Sequence, residues 1–323
     1  MQIGYKLFAE GYSPQEMVRQ AERAEAAGFD FVVISDHYHP WLESHGHSGF
    51  AWSILAAIAA RTRRIGLATG VTCPFIRYHP ALVAQAAATT ALLADGRRFV
   101  LGVGSGEQLN EHVVGRPWPS VTERHAMLRE SLHIIRLLWQ GGYRSFEGEH
   151  LRLVDARVFD LPEDPPLIAV AAGGAAAASL AGELGDALFA TEPDHALTRA
   201  YRHSGGNGPR YAEVPLSWAP DEETALKSAH RMFRFGATGW KVQAELPNVA
   251  NFEAATAHVR EDDMASAFGY GPDPERHVAA VERFADAGFD RLALVNAGPD
   301  PDGFFDFFAK ELSGRLDAPA PAG

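Results

Sequence analysis

Eight short runs of apolar, largely β-branched residues alternate with amphipathic segments along the 323-residue chain. The runs predict strands at residues 3–7, 31–35, 65–69, 99–103, 167–171, 187–191, 214–218 and 292–296. The segments between them predict helices at residues 14–27, 50–63, 81–93, 121–139, 175–184, 195–202, 221–233 and 275–287. Such alternation predicts a parallel sheet, and eight units predict a closed (β/α)8 barrel, the TIM barrel. A doubly wound open sheet is the alternative.

One tetrapeptide occurs before the second predicted strand and again before the eighth. Ala27-Gly28-Phe29-Asp30 and Ala287-Gly288-Phe289-Asp290 each follow a predicted helix. The glycine can end that helix at a positive φ, and the phenylalanine is expected to cover the bottom of the barrel. One αβ unit is therefore used at both ends of the chain, which suits a closed ring of repeated units.

Two of the predicted helices carry start signals. Ser13 with Glu16, and Ser120 with Glu123, have the spacing of capping boxes. In such a box the serine oxygen and the glutamate carboxylate each accept a hydrogen bond from an otherwise unpaired backbone N–H group. Both sequences therefore predict where a helix begins.

Residues 1–317 are predicted to form a single domain. Two stretches exceed a minimal barrel: residues 143–166, expected to form a small hairpin, and residues 236–274, expected to be an irregular excursion before the last unit. Residues 318–323 are rich in Ala and Pro and predict a disordered tail.

The charge balance narrows the class of partner. Lys and Arg number 29 against 41 Asp and Glu, which gives a net charge of −12. Nucleic acids and anionic membranes require clustered positive charge, so a small molecule is the expected partner instead. Residues 51–60 are too short an apolar stretch to span a bilayer, and residues 1–6 lack the features of a secretory signal. With Cys73 as the single cysteine, these features predict a cytoplasmic protein.

Barrel enzymes carry their chemistry at the carboxyl ends of the strands, so the residues that follow each predicted strand are the candidates for an active site. Glu10 follows the first strand, His37 and Trp41 follow the second, and Glu107 follows the fourth. Two carboxylates, an imidazole and an indole at one mouth can supply proton transfer. These residues are the predicted catalytic centre.

A cluster of histidines leaves a metal-dependent hydrolase open as an alternative. His37, His39, His45 and His47 fall within eleven residues. The later strands, five to eight, end without the further His or Asp ligands that such sites draw on. We therefore predict no metal.

Two glycine-rich segments suggest where a cofactor lies. Small residues at 102–106 would let a flat ring approach the backbone, although the glycine spacing departs from the dinucleotide fingerprint. Ala171-Ala172-Gly173-Gly174 leads into a predicted helix, whose exposed amides can bind a phosphate without any lysine. A tight turn with no ligand is the alternative for this second segment.

Five groups of residues carry a resemblance to a known family. They are Gly4-Tyr5-Lys6 with Glu10, Ser35-Asp36-His37-Tyr38-His39-Pro40-Trp41, Phe75-Ile76-Arg77-Tyr78-His79-Pro80, Gly102-Val103-Gly104-Ser105-Gly106-Glu107 with Asn110-Glu111, and Ala171-Ala172-Gly173-Gly174. Together they resemble the luciferase-like (β/α)8 oxidoreductases, in the branch typified by F420-dependent glucose-6-phosphate dehydrogenase. The resemblance extends to about residue 194 and weakens afterwards. It implies a homodimer, in keeping with the alanine and leucine on the predicted helices.

The resemblance implies that a deazaflavin, coenzyme F420, lies across the barrel mouth. Its ring would lie against Gly70 and Val71, which the family joins by a cis peptide bond, and its phosphate on Gly173 and Gly174. Further cofactor contacts are implied for Asp36, Cys73, Asn110, Ala171 and Ala172, with Cys73 in place of the usual threonine. Flavin mononucleotide (FMN) binds the same type of barrel and is the alternative cofactor.

By the same resemblance, His37 is the base that removes a hydroxyl proton while hydride passes from the carbon to the ring. Glu107 then protonates the ring or relays its proton, and Trp41 and Glu10 position and stabilise the reacting centre. The implied activity is hydride transfer between F420 and an alcohol/carbonyl pair. A flavin-dependent monooxygenase or reductase on the same fold is the alternative.

The sequence departs from the family where the family binds a sugar phosphate with three basic residues. Lys241 is the one that remains, and it is the predicted substrate-binding residue. Asp194 and Ala267 occupy the other two positions. An acidic side chain beside a phosphate dianion would repel it, so glucose 6-phosphate is not the expected substrate.

Overall fold

The structure is a computed structural model that describes residues 1–96 and 98–316. Its strands are β1 (Gln2–Leu7), β2 (Phe31–Ile34), β3 (Gly66–Thr69), β4 (Phe99–Val103), β5 (Arg144–Glu147), β6 (Arg152–Ala156), β7 (Leu167–Ala171), β8 (Ala187–Ala190), β9 (Arg210–Ser217), β10 (Gly269–Tyr270) and β11 (Arg291–Asn296). The predicted disordered tail, residues 318–323, lies outside the described residues.

The α-helices surround these strands. They are α1 (Pro14–Ala27), α2 (Ala51–Arg61), α3 (Pro80–Leu93), α4 (Gln108–Glu111), α5 (Val121–Trp139), α6 (Ala175–Leu184), α7 (His195–His203), α8 (Glu222–Phe233), α9 (Trp240–Gln243), α10 (Val249–Ala255), α11 (Pro274–Asp286), α12 (Pro301–Phe307) and α13 (Ser313–Leu316). Short 3-10 turns occur at Glu43–His45, His112–Val114, Arg234–Thr238 and Glu261–Ser266, and a π turn at Phe308–Leu312.

Eight parallel strands close into a barrel in the order β1, β2, β3, β4, β7, β8, β9 and β11, with β11 pairing back onto β1. The predicted (β/α)8 barrel is confirmed. In the register of the first three strands, Leu7 pairs with Ile34 and Ile34 with Thr69. Because these strand ends are level, the residues that follow them meet at one rim.

Aromatic side chains close the amino-terminal end of the barrel interior. Phe31 and Tyr211, near the starts of β2 and β9, meet edge to face with ring centroids 5.6 Å apart. Small apolar residues such as Ala68 and Ala169 fill the interior around them. A packed lower half leaves the carboxyl-terminal end as the place where a cavity can form.

The repeated tetrapeptide ends two helices as predicted but does not cover the barrel. Gly28 and Gly288 adopt φ values of 96° and 94°. The expectation for Phe29 is wrong: its ring stacks on Phe308 at 3.8 Å, in the layer between barrel and helices. Phe289 belongs to the same layer and contacts Phe284. The turn after the glycine directs the phenylalanine outward, so the first strand residue, Phe31, fills the barrel end instead.

The aspartates of this repeat have a shared role that the sequence pattern did not predict. Asp30 Oδ2 accepts a hydrogen bond of 2.8 Å from the backbone N–H of Ile3, at the start of β1. Asp290 Oδ1 likewise accepts from the backbone N–H of Arg210, at the start of β9, at 3.1 Å. The aspartate of each repeat therefore binds the first residues of the strand next to the one that it precedes.

One of the two predicted capping boxes is complete. Ser120 Oγ accepts from the Glu123 N–H, and the Glu123 carboxylate accepts from the Ser120 N–H at 2.8 Å. At α1 the Ser13 oxygen accepts from the Glu16 N–H, but the reciprocal bond is replaced. The Glu16 carboxylate accepts from the side chains of Arg19 and Gln20 instead, because both lie one turn along the same helix face.

Ser120→Ala is expected to lower the free energy of unfolding by about 1 kcal/mol, because an N–H at the start of α5 loses its acceptor. Ser53→Ala is the control: Ser53 is the exposed third residue of α2, whose start has no side-chain cap, so this substitution removes no capping bond. Urea unfolding measures both. Equal losses for the two variants would contradict the assigned role of the Ser120 cap.

Both insertions take defined forms. The predicted hairpin within residues 143–166 is observed as the antiparallel pair β5 and β6. The stretch 236–274 is more regular than expected: it contains α9, α10 and β10, which pairs with β9 through Gly269 and Leu216. Phe252, Met264 and Phe268 of this stretch cluster with Phe8 and Trp41 at the carboxyl-terminal rim. The excursion is thus one wall of the mouth.

The seventh barrel strand begins at Arg210, four residues before its predicted start at residue 214. Arg210 and Glu213 lie before the apolar run from which the strand was predicted, yet Arg210 pairs with Leu188 of β8 and Glu213 with Ala293 of β11. Within the described part of the chain, none of the helices is long and apolar enough to cross a bilayer.

Candidate active site

A cavity of about 1040 Å³ opens at the carboxyl-terminal end of the barrel. Its lining contains every residue predicted for the site: His37, Glu107, Trp41, Glu10, Asp36, Gly70, Val71, Cys73, Asn110, Ala171, Ala172, Gly173, Gly174 and Lys241. These residues come from loops after five strands and from α9. The sequence prediction that they share one mouth therefore agrees with the geometry.

His37 lies at the centre of this arrangement and is buried. Its Nδ1 atom is 3.3 Å from Glu10 Oε1 and 3.2 Å from the carbonyl oxygen of His39. Both neighbours are hydrogen-bond acceptors, so they favour the tautomer with the proton on Nδ1. The other nitrogen, Nε2, is left with its lone pair, 3.2 Å from Glu107 Oε2. The geometry makes Nε2 the atom able to accept a proton.

Glu107 stands beside that nitrogen on the loop after β4. Burial raises the pKa of its carboxyl group, and the negative charge of Glu10 acts in the same direction while His37 opposes it. A carboxyl group with a raised pKa holds its proton more readily and can donate it. Glu107 and His37 Nε2 therefore form a donor and acceptor pair facing the cavity.

Asn110 holds the two halves of this centre together. Its Oδ1 accepts from the backbone N–H groups of Tyr38 and His39, at 2.9 and 3.1 Å. Its Nδ2 donates to Glu107 Oε2 at 2.8 Å. The amide predicted to contact a cofactor thus fixes the loop that carries His37 and orients the Glu107 carboxyl group.

Trp41 forms an aromatic wall with a residue that sequence analysis did not select. Its ring lies 4.7 Å from the His37 ring and stacks on Phe235 at 4.6 Å, with 5° between the planes. Phe8 continues the stack on the far side of Phe235. Phe235 comes from the 3-10 turn after α8, between the predicted helix at residues 221–233 and the predicted excursion at residues 236–274, and no sequence pattern pointed to it.

Gly70 and Val71 at the end of β3, the two residues against which the ring was expected to lie, are joined by a cis peptide bond, as predicted. We call this pair the shelf. The Gly70 carbonyl accepts a hydrogen bond of 2.8 Å from Lys6 Nζ, which also forms an ion pair with Glu213. Lys6 is buried and Glu213 nearly so. This pair was missed: Lys6 appeared only as part of a motif, and Glu213 precedes the predicted seventh strand.

A network of polar side chains fixes Asp36 behind the shelf. Its Oδ2 accepts from the Thr72 hydroxyl at 2.7 Å, and its Oδ1 accepts from Arg77 and Tyr78. The Arg77 backbone N–H donates to Glu111 at 2.7 Å, yet burial raises the pKa of Glu111 to about 7. Burial also raises the pKa of Cys73 well above that of a free thiol. Cys73 is therefore a protonated packing residue at this wall.

The residues present fit a flat anionic cofactor. A Cβ atom at Gly104 would approach Val71 Cγ2 to 2.9 Å, so the wall between the shelf and the β4 loop has room only for glycine. At the start of α6 no side chain caps the helix, and a Cβ at Gly174 would meet nothing within 4 Å. Uncapped amides at the start of a ten-residue helix, facing a cavity, suit a phosphate.

The histidine cluster does not converge. His39 stacks on His112 at 5.6 Å, and His45 Nε2 lies 3.0 Å from the Met232 carbonyl. Among residues 1–96 and 98–316, no group of three His, Cys, Asp or Glu side chains is arranged to hold a metal ion.

His45 is expected to make stability depend on pH. Burial lowers its pKa to about 4, against about 6.5 in the unfolded chain. Between these values the unfolded state binds more protons, so stability falls on acidification, by about 2 kcal/mol from pH 8 to pH 5. His45→Gln, which keeps a donor for the Met232 carbonyl, is expected to lose that part of the pH dependence. Urea unfolding at both pH values measures it; parallel pH profiles for the two proteins would contradict the assignment.

Of the three positions discussed for substrate binding, two line the cavity and one does not. Lys241 lines the cavity with an exposed side chain, and Ala267 lines it as well. Asp194 is not in the lining: its Oδ1 accepts from the Ala196 N–H at 2.7 Å and caps α7. Repulsion of a phosphate by Asp194 is therefore not supported, because the helix start holds that carboxylate.

Fold and site together define a (β/α)8-barrel enzyme with a proton-transfer pair beside a glycine-lined shelf. The sequence model of the luciferase-like monooxygenase family matches residues 1–291. The chain belongs to this family, as the strand-end motifs predicted.

Individual relatives carry the similarity beyond residue 194. The chain is 36% identical over 333 residues to the F420-dependent glucose-6-phosphate dehydrogenase of Tsukamurella paurometabola, with 98% of each covered. A solved F420-dependent secondary alcohol dehydrogenase, in complex with an F420-acetone adduct, superposes with a TM-score of 0.90 at 28% identity, over 98% of this chain and 99% of that one. The coenzyme F420-dependent tetrahydromethanopterin reductase of Methanopyrus kandleri shares the fold, with a TM-score of 0.76, 21% identity and coverage of 98% and 99%.

Proposed function

We propose that this protein is a coenzyme F420-dependent dehydrogenase acting on an alcohol/carbonyl pair, with His37 as the base. The observation that carries the proposal is the setting of the His37 ring. Two acceptors flank Nδ1 at 3.3 and 3.2 Å, and Nε2 faces the cavity beside Glu107. The identity of 36% to a dehydrogenase named for F420 supports the cofactor.

When bound, F420 supplies a ring that accepts a hydride. His37 Nε2 accepts the hydroxyl proton of the alcohol, and the electron pair left on oxygen forms the carbonyl as the carbon gives up its hydride. The Glu10 carboxylate lies 3.3 Å from Nδ1 and so stabilises the imidazolium that forms. Glu107 would supply the one proton that reduction of the cofactor requires besides the hydride, and His37 Nε2, 3.2 Å away, would then pass the alcohol's proton to Glu107. Trp41 excludes water from one side of the reacting carbon.

The cofactor is proposed to be held by three parts of the chain. Gly70 and Val71 provide a shelf for the ring, and Gly173 and Gly174 provide amides for the phosphate. Ala171 and Ala172, together with Asp36, Cys73 and Asn110, complete the lining around them. Lys6 supports the shelf from below through the Gly70 carbonyl.

The substrate is proposed not to be glucose 6-phosphate. Of the three positions at which the family uses basic residues, Ala267 is neutral and Asp194 is turned to its own helix. Lys241 is left, and its exposure limits it to the outer end of a bound substrate.

The experiment is anaerobic turnover of secondary alcohols with F420 or FMN, followed by the visible absorbance of each cofactor. Reduction of F420, with no change in FMN, supports the proposal. Alcohol-dependent reduction of FMN, or oxygen consumption with reduced FMN, would replace it by the flavin-dependent alternative.

The homodimer is also proposed rather than shown. Three leucines of α3, Leu82, Leu92 and Leu93, are between 44% and 58% exposed, which leaves apolar surface on the barrel exterior. Sedimentation velocity of the purified protein measures the mass directly, and a single species with the mass of one chain would contradict a dimer.

A further inference from the structure

We propose that the substrate is an uncharged alcohol with an apolar substituent, which packs against a wall formed by Phe8, Trp41 and Phe235. This inference rests on the proposed function, because it takes His37 Nε2 as the point that receives the hydroxyl group. It adds the chemical class of the rest of the molecule.

The aromatic wall begins directly at the base. The Trp41 ring is 4.7 Å from the His37 ring, and Phe235 stacks on Trp41 at 4.6 Å. Phe8 lies parallel to Phe235 at 6.5 Å. All three line the cavity although between 4% and 6% of each is exposed. A substrate whose hydroxyl reaches Nε2 therefore meets ring faces and edges beside it.

The charges at the same place exclude an anionic substituent near the reacting carbon. Glu10 and Glu107 are the charged or titratable neighbours of the His37 ring, and both are acidic. Lys6, the buried lysine of the lining, is already paired with Glu213 and the Gly70 carbonyl. An anion here would face carboxyl groups in a desolvated site with no available counter-charge, which is unfavourable.

The remaining basic residues of the described lining lie farther out. Arg124 is buried but its guanidinium is bound to Glu245 at 2.6 Å and stacks on Trp118. Lys241 and Arg283 are exposed. A positive charge is therefore offered at the solvent-facing part of the cavity, whereas the inner part beside His37 presents aromatic rings and the carboxyl groups of Glu10 and Glu107.

A series of alcohols tests this on the whole protein with F420. From 2-propanol through 2-butanol and 2-pentanol to 2-hexanol, kcat/KM is expected to rise about threefold to fourfold for each added methylene, because each one leaves water for the wall. Glucose 6-phosphate is expected to be turned over less efficiently than 2-pentanol. A flat series, or the reverse ranking for the sugar phosphate, would overturn this inference while leaving F420-dependent hydride transfer intact.

Binding of a compound that cannot react gives a second measurement. A tertiary alcohol, 2-methyl-2-hexanol, has no hydrogen on its carbinol carbon, so its affinity is independent of turnover. It is expected to quench tryptophan fluorescence and to bind at least tenfold more tightly than tert-butanol. Equal affinities would overturn the inference. Tight binding of the tertiary alcohol with no turnover of any secondary alcohol would instead contradict the proposed function.

Phe235→Ala is the variant that tests the wall, and Phe159→Ala is its control, since Phe159 is 69% exposed on the insertion outside the cavity. The first is expected to lower kcat/KM for 2-hexanol at least tenfold while that for 2-propanol falls less than threefold, and the second to change neither. Phe235→Leu, which keeps an apolar side chain, covers the case in which the alanine variant fails to fold: it is expected to keep the rise along the series, with a lower slope. Equal losses for both alcohols would assign Phe235 a structural role only and overturn its place in the wall.

Discussion

His37→Ala is expected to lower kcat for alcohol oxidation by about 10²- to 10⁴-fold, with the dissociation constant of F420 changed less than about threefold. The reason is the tautomer: Glu10 and the His39 carbonyl favour the proton on Nδ1, which leaves the lone pair of Nε2 free to accept the hydroxyl proton. Stopped-flow measurement of the first turnover reports the chemical step, and fluorescence titration of F420 reports binding.

His39→Ala is the matched control for this prediction. His39 belongs to the same loop and stacks on His112, but its side chain is not part of the cavity lining. Its backbone carbonyl, which contacts His37, survives the substitution. The control is expected to keep kcat within about threefold. If both variants lost activity to the same extent, the loop's shape rather than the imidazole would account for the loss.

Lys6→Met is expected to lower the free energy of unfolding by about 3 kcal/mol, because it leaves the carboxylate of Glu213 buried without its partner. The Gly70 carbonyl loses its donor at the same time. Adding Glu213→Leu in the same chain is expected to restore part of that loss, since the double variant removes the unpaired charge. Urea unfolding of Lys6→Met, of Glu213→Leu and of the double variant completes a double-mutant cycle, which measures the interaction energy of the pair.

An exposed ion pair provides the control for the buried one. Arg61 and Glu22 are 2.7 Å apart, with the Arg61 side chain 65% exposed. Arg61→Met is expected to cost less than about 1 kcal/mol, because water replaces the partner. A loss for Lys6→Met no larger than that for Arg61→Met would contradict the view that the pair beneath the shelf is a stabilising element of the site.

The periodicity of the sequence was sufficient to predict the barrel and the residues at its carboxyl-terminal rim. Each predicted strand is observed within a few residues, because apolar runs report burial on both faces of a parallel sheet. The exception is β9, which begins at Arg210. Its first four residues include Arg210 and Glu213, two half-buried polar residues that break the apolar pattern used to predict strands. The same limit hid Glu213, whose partner Lys6 lies 207 residues away in the chain. Long-range pairing of two charges is invisible to a local pattern.

The candidate residues were found because strand ends converge, but their contacts were not predictable. Asn110 was selected as a cofactor contact, and its bonds to Glu107 and to the loop that carries His37 were not foreseen. Asp194 was expected beside a substrate phosphate, and it caps α7. Both outcomes depend on side-chain direction, which position after a strand does not determine. Phe235 escaped notice because nothing in residues 236–274 indicated which neighbouring side chains reach the cavity.

Transfer of deuterium from the substrate carbon to the cofactor tests the central claim most directly. 2-Propanol deuterated at its carbinol carbon would be incubated with the protein and oxidised F420 in ordinary water, and the reduced cofactor analysed by mass spectrometry. Hydride transfer within the cavity beside His37 predicts one deuterium in each reduced F420, together with a slower first turnover than with unlabelled alcohol. Reduced F420 without deuterium, or no reduction at all despite bound cofactor, would contradict it.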